Sequence, residues 1–446
     1  MKRLFFKKDV PLPLLLLGFF VTAIAQKKHE FSVQQAVAYA LQNSVTVKNA
    51  LLDYKIQQQA NNEIVAIALP QISTSGQFTD YLKIPTSLIP AEFFGGQPGT
   101  FMPVQFGTKY NTSGGIDVRQ ILFDGQVFVG LQARDATLKF AGLQAELTKE
   151  QIKMNVEKIY YQLVVGKQQI TSIDANIFTT QKLLDNTREI FKNGFAERLD
   201  VDKVNVLLNN MLTEKEKAQW QLNAGNNALK FLLNLPQKDS LVLTDSLTVD
   251  LLKENLLDSA FDYNSRKEVQ LLNVSKQLNQ YNIRRYQLSY IPTLSAFASY
   301  QKNAQRTKFD FFADKKWFTT SMVGLNVSFT LFDGFAKKSK INQAKYALEK
   351  TNNSLEQMKA SIDNDVEQAR TKIKSALITM DIQKQNMQLA EKVYTSTKLK
   401  YEQGLGSHQE IYNAQSELKV AQNNYYGALY DAIIARIDYL KASGKL

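Results

Sequence analysis

Apolar and polar residues alternate along the stretch from Val323 to Leu331. Val323, Leu325, Val327, Phe329 and Leu331 interleave with Gly324, Asn326, Ser328 and Thr330. A period of two is the signature of a strand with one apolar face. Earlier in the chain Ile72, Thr74, Gly76 and Phe78 interleave with Ser73, Ser75, Gln77 and Thr79. Elsewhere the period lengthens. Ile411, Leu418, Tyr425, Ala432 and Tyr439 recur every seven residues, and Ala414, Ala421, Ala428, Ala435 and Ala442 follow three residues behind. This seam predicts a coiled-coil helix, and its alanine row predicts a short distance to the neighbouring helix. No proline interrupts 104–235 or 293–446. Continuous helices over 126–192 and 335–401 are therefore predicted, each about 100 Å long.

The two halves echo each other. Ala68-Leu69-Pro70-Gln71-Ile72-Ser73 returns as Tyr290-Ile291-Pro292-Thr293-Leu294-Ser295, and Leu122-Phe123-Asp124-Gly125 as Leu331-Phe332-Asp333-Gly334. Phe191-Lys192-Asn193-Gly194 returns as Tyr401-Glu402-Gln403-Gly404; the three offsets are 222, 209 and 210. Ordered anchors at a nearly constant offset predict a duplicated unit, 26–235 and 257–446, joined by a linker at 236–256. Each unit reads helix, strand, loop, strand, very long helix, turn, long helix. The first carries strands over 71–82 and 114–123, a loop at 83–113, and helices over 126–192 and 197–235. The second carries strands over 293–302 and 322–332, a loop at 303–321, and helices over 335–401 and 408–443. Shifting the heptad seam back by 210 lands on Val201, Val204, Leu208, Met211, Lys215, Ala218, Leu222, Gly225, Leu229 and Leu232, where only Lys215 breaks the apolar pattern.

The N-terminus changes the picture. Lys2, Arg3, Lys7 and Lys8 precede an apolar run from Val10 to Ala25 that ends in Ala23-Ile24-Ala25. That pattern is a secretory signal peptide, 1–25, with the mature chain starting at Gln26. The formal charge is +12 overall; the leader holds four basic residues and Asp9, so the mature chain carries 12 − 3 = +9. An exported chain with no later apolar run long enough for a spanning helix is periplasmic, secreted or an outer-membrane β-protein. Strands of about ten residues suit a tilted membrane crossing. Two strands per unit give four per chain, too few to close a barrel, and lipid tolerates no open edge. Several chains must then pool their strands under closed cyclic symmetry. A periplasmic coiled-coil scaffold without a pore is the rival reading, and the alternating strand pairs are what it has no use for.

Composition excludes much chemistry. There is no cysteine, which excludes disulfides, thiolate metal sites and a lipid attached to cysteine. With two histidines, His29 and His408, and no nucleotide-binding or catalytic fingerprint, no enzyme, cofactor or metal is predicted. The basic balance does not point to nucleic acid, because Lys mixes with Glu, Asp and Gln along solvated coiled-coil faces.

The duplicated unit, the Leu-Phe-Asp-Gly ends at 122–125 and 331–334, and the Tyr401-x-x-Gly404 turn leading to Glu410-Ile411-x-Asn413-Ala414-Gln415 resemble the TolC family of outer-membrane efflux proteins. The resemblance covers about 31–446. It implies a mainly α fold with a membrane β-barrel part: a homotrimer with a 12-stranded barrel in outer-membrane lipid and a long helical barrel across the periplasm. It further implies a passive exit duct of a tripartite efflux pump or type I secretion system. Such a duct is gated at the periplasmic tip and works with a periplasmic adaptor and an inner-membrane transporter of RND or ABC type. The cargo stays open.

Site residues follow from that topology. The loops 83–113 and 303–321 face outside the cell, and Phe309, Phe311, Phe312, Trp317 and Phe318 suit an interfacial aromatic girdle. The turns at Gly194 and Gly404 form the periplasmic tip. Glu410, Asp200 and Asp202 are candidates for an aperture ring in which three copies favour cations. Asn413 is a fourth aperture candidate, standing where relatives often carry a second carboxylate. Gly194, Phe195, Gly404, Leu405 and Gly406 are candidates for adaptor docking. Asp124-Gly125 and Asp333-Gly334 are read as strand-to-helix junctions, with Asp near a helix N-terminus.

Overall fold

The computed structural model describes residues 27–246, 261–313 and 315–446. The predicted signal peptide, 1–25, and residues 247–256 of the predicted linker lie outside the described residues.

The first half opens with strand β1 (Lys28–Phe31) and helices α1 (Val33–Asn43) and α2 (Val45–Ile67). Ser32 caps α1 in a reciprocal box: its Oγ accepts from Gln35 N at 3.3 Å, and Gln35 Oε1 accepts from Ser32 N at 2.9 Å. Strands β2 (Gln71–Asp80) and β5 (Tyr110–Phe123) flank a hairpin of β3 (Thr86–Pro90) and β4 (Phe101–Gln105). Helices α3 (Gly125–Lys192) and α4 (Arg198–Leu232) and strand β6 (Ser240–Leu243) follow. The second half holds α5 (Lys267–Leu288), β7 (Thr293–Arg306), β8 (Phe318–Ser328), α6 (Ala336–Glu402) and α7 (His408–Ala442). Pro70 and Pro292 stand directly before β2 and β7. A residue before proline is pushed out of the α region, which separates helix from strand at both places.

Four strands form one antiparallel sheet in the order β2-β5-β7-β8. The register sorts the side chains cleanly. One row across the sheet is Ile72, Val118, Ala298 and Val323; the adjacent row on the other face is Ser73, Asp117, Ser299 and Met322. Ile116, Tyr300, Leu325 and Val327 extend the apolar face, and Ser75, Gln301 and Thr320 the polar one. In the isolated chain Ile72, Val323, Leu325 and Val327 are all exposed. The strands β2 and β8 are the sheet's free edges.

Three boundaries depart from the sequence reading. The segment 83–113, expected to be a loop, carries the β3–β4 hairpin, with Thr86 opposite Gln105 and Pro90 opposite Phe101. Prolines are tolerated there because a two-stranded ribbon has only outer edges. Strand β8 ends at Ser328 rather than 332, because Ser328 pairs with Thr293, the first residue of β7. The alternation continues through Leu331 with no strand beside it. The predicted linker holds β6, which pairs in parallel with β1 from Lys28↔Ser240 to Phe31↔Leu243.

The four long helices pack in a row. Helix α4 packs on α3, α3 on α7, and α7 on α6. Of the alanine and large-residue rows on α7, all but Ala421 and Tyr425 are buried. Lys215, the break in the equivalent row of α4, pairs with Asp174 of α3 at 2.7 Å. Near the turns, Leu183, Leu184, Val204, Leu208, Ile411 and Leu418 form one apolar cluster that ties both helical hairpins together. Full burial of each such side chain stabilises by about 1.5–3 kcal/mol.

Candidate gate and docking tip

The two long helices end in the same cap. Gly194 has φ +82 and Gly404 φ +75. Gly194 N–H donates to Phe191 O at 2.9 Å and Phe195 N–H to Ile190 O at 3.0 Å. Gly404 N–H donates to Tyr401 O and Leu405 N–H to Lys400 O, both at 3.0 Å. This bond pair satisfies the last carbonyls and requires a left-handed residue, which a Cβ penalises by about 1–2 kcal/mol. Each cap then turns an apolar side chain outward: Phe195 is 85% exposed and Leu405 78%. Gly406 sits tightly, since a Cβ there would lie 3.1 Å from Tyr401 N.

The aperture candidates stand one turn inside these caps. Asp200 is engaged in its own helix start, accepting from Glu197 N at 3.2 Å. Asp202 lies 3.5 Å from Arg198, one helical turn away. Asn413 Oδ1 accepts from Gln409 Nε2 at 2.9 Å. Glu410 is the third residue of α7; its N–H donates to the capping Ser407 Oγ at 3.2 Å, and its side chain is exposed. The structure thus ties three of the four to local partners and leaves the Glu410 carboxylate on the surface of the tip.

A polar ladder that the sequence reading did not identify runs between the two helical hairpins. Asn176 Nδ2 donates to Gln422 Oε1 at 2.6 Å, and Gln169 Nε2 to Asn423 Oδ1 at 3.1 Å. Asn423 Nδ2 in turn donates to Glu214 Oε1 at 2.9 Å, and Glu214 also pairs with Lys419. Gln415 Nε2 donates to Thr180 Oγ1, while the buried Gln415 Oε1 has no partner among the described residues. Farther from the turns, Asp438 of α7 holds Lys158 of α3 at 2.6 Å and Lys372 of α6 at 3.4 Å. Hydrogen bonds exchange with water at a net cost of only about 0.5–1.5 kcal/mol each. The seam between the hairpins thus joins these bonds to the apolar cluster at the turns.

Residues 264–445 match the family described as Outer membrane efflux protein. The chain carries this match over its second half. It is 20% identical over 342 residues to the outer membrane protein TolC of Vibrio cholerae, covering 75% of this chain and 77% of that relative. Its fold matches the crystal structure of the outer membrane protein VceC from Vibrio cholerae. The TM-score is 0.72 at 15% identity, over 92% of this chain and 96% of that one. It also matches the CmeC outer membrane channel of Campylobacter jejuni. There the TM-score is 0.70 at 15% identity, over 93% and 85% of the two chains.

In this chain the two strand-to-helix junctions differ. Asp124 caps α3, its Oδ1 accepting from Gln126 N at 2.8 Å and Val127 N at 3.4 Å. Gly125 is needed for packing: a Cβ there would lie 2.6 Å from Leu288 Cβ. Gly334 and Phe335 both take positive φ, +64 and +65, so Asp333 reaches one turn on, to Lys337 N at 2.8 Å. The ladder left a faint trace in the sequence. Gln415 and Gln422 are seven apart and immediately follow Ala414 and Ala421 of the seam.

Proposed function

We propose that three copies of this chain form the outer-membrane duct of an efflux or secretion system, closed at rest by its periplasmic tip. The observation that carries this is the four-stranded sheet with one apolar face, one polar face and two free edges. Three such sheets joined edge to edge make 12 strands, within the range of known membrane barrels. The apolar faces turn to lipid and the polar faces to a water-filled lumen. The helical row has matching free edges. Leu199, Val206 and Trp220 are exposed on α4, and Ile378, Ile382 and Leu389 on α6. Ring closure sets α4 of one copy against α6 of the next and covers both stripes. Helices of nearly the same length in each half, 68 and 67 residues for α3 and α6, and 35 for both α4 and α7, support a duplicated unit.

Gating belongs to the tip. Glu410 from three copies supplies the acidic ring, and the polar ladder is the seam along which the α6–α7 hairpin swings away from α3–α4. Phe195 and Leu405 offer apolar contacts to a periplasmic adaptor, and the inner-membrane transporter supplies the energy. The Phe309 group suits the outer girdle, since Phe309 packs on Phe78 at 5.7 Å and Tyr110 at 5.9 Å on the apolar side of the sheet. The test is extraction of the mature protein from membranes in detergent, followed by mass measurement and bilayer recording. A mass of three chains and discrete conductance steps are expected. A monomeric, non-conducting particle refutes the duct.

A further inference from the structure

The two outer loops leave the sheet toward opposite faces. Phe309 and Phe311 fold onto the apolar face, against Phe78. The base of the other loop does the reverse. Ile84, Pro85 and Phe106 close a cleft of about 420 Å³ with Gln77, Ser113 and Asn303. Those last three form one row of the polar face by register. The β3–β4 hairpin therefore rises from the lumen side.

Its chemistry does not suit open water. From Ile84 to Phe106 the only charged residue is Glu92. That carboxylate is used internally, accepting from Gly99 N at 2.9 Å. The other loop carries Arg306, Lys308, Asp310, Asp314, Lys315 and Lys316. The hairpin tip is nevertheless built. Ala91 N–H donates to Thr100 O at 2.8 Å and Gly96 N–H to Ala91 O at 2.8 Å. This frame holds out Phe93, which is 79% exposed, with Phe94, Leu88 and Phe101 also exposed. Four exposed apolar side chains on one short hydrogen-bonded hairpin mark a contact site.

We propose that this hairpin is an apolar lid over the outer mouth of the pore, and that its partner is the same hairpin of the two other copies. The inference rests on the closed-ring reading. In that ring each hairpin stands over one shared lumen, so three tips are confined to one small space. Each brings a single carboxylate, Glu92, which is engaged by Gly99 N, so repulsion is small, and Phe93 and Phe94 leave water only by meeting each other. An apolar constriction of this kind resists wetting, so ions are held back while an apolar or amphipathic cargo passes.

The absence of cysteine makes the test direct. Phe93→Cys and Phe94→Cys are made separately in the full-length protein, with Phe312→Cys on the other loop as control. Membranes are oxidised mildly, or treated with a bifunctional maleimide of longer reach. A disulfide needs Cα atoms within about 7 Å, so it forms only where tips meet. Covalent dimers approaching two of every three protomers are expected from both tip variants, and monomers from the control. Monomers alone from both tip variants, in particles with the mass of three chains, overturn the lid and leave the ring standing. Particles of any other mass overturn the ring first and the lid with it.

Discussion

Glu214 is where the gate reading is most exposed to test. Its carboxylate on α4 accepts from Asn423 at 2.9 Å and pairs with Lys419, both on α7. The side chains of Glu214 and Lys419 are 24% and 31% exposed, so neither is fully desolvated. A hydrogen bond to a charged group contributes about 1.5–3 kcal/mol, and a part-exposed ion pair about 0–1 kcal/mol. Taking the low end of each, Glu214→Ala loosens the seam by about 1.5 kcal/mol per copy, a factor of about 10 in an equilibrium constant. The assay is single-channel recording in planar bilayers without an adaptor. The open-to-closed ratio is expected to rise at least about tenfold, and further if three copies move together. Glu214→Gln keeps an acceptor for Asn423 and loses the ion pair, so its rise stays within about fivefold. Adding Lys419→Ala to Glu214→Ala brings no further rise. Opening statistics of Glu214→Ala equal to the parent's would refute the claim that this seam holds the tip closed.

Three further outcomes follow from the same structure. Gln415→Met removes a buried unpartnered acceptor, which costs about 1–3 kcal/mol, and loses the bond to Thr180, which contributes about 0.5–1.5 kcal/mol; the net should strengthen the seam by about 1 kcal/mol and lower the open fraction in the same recordings. Asp124→Ala deletes the cap of α3 and should cost about 1 kcal/mol, read as a lower denaturation midpoint of the extracted protein. Asp239 accepts from the His29 ring at 3.0 Å, and this bond holds its carboxyl below the usual carboxylate range. A depressed carboxyl stabilises the fold above its unfolded value, about 3.9, and that contribution is lost as pH falls through the lower folded value. Cleavage at Lys27 and Lys28 by an acid-tolerant protease should rise only in that acid window, and Asp239→Asn should remove the dependence.

Much of the fold was legible because its elements are long. A helix of 68 residues announces itself by the lack of proline, the 35-residue α7 by its heptads, and ten-residue strands by alternation. Short pairings were not legible. Strand β1 is four residues, Lys-His-Glu-Phe, with no period to read, and its partner lies more than 200 residues away. The β3–β4 hairpin was hidden by Pro90 and Pro103, which count against strands in a sheet interior but not in a lone ribbon. The shortened β8 reflects pairing rather than propensity: its apolar alternation runs on, but β7 offers nothing beyond Thr293. At the site, the glycine turns were readable from residue type alone. The ladder was not, because Asn176, Glu214 and Gln422 gain meaning only when separate helices are set side by side. The unlike junctions at Asp124 and Asp333 show how one four-residue sequence takes two backbone paths under different packing.

The most direct measurement of the central claim is electron cryo-microscopy of the mature protein extracted from membranes. The account predicts a threefold particle with a 12-stranded barrel leading into a helical tube about 100 Å long. In it, β2 of each copy lies beside β8 of the next, and Glu410 lines the narrowest point of the tip. A particle whose β2 and β8 edges remain unpaired with other copies, or one without a central channel, would contradict it.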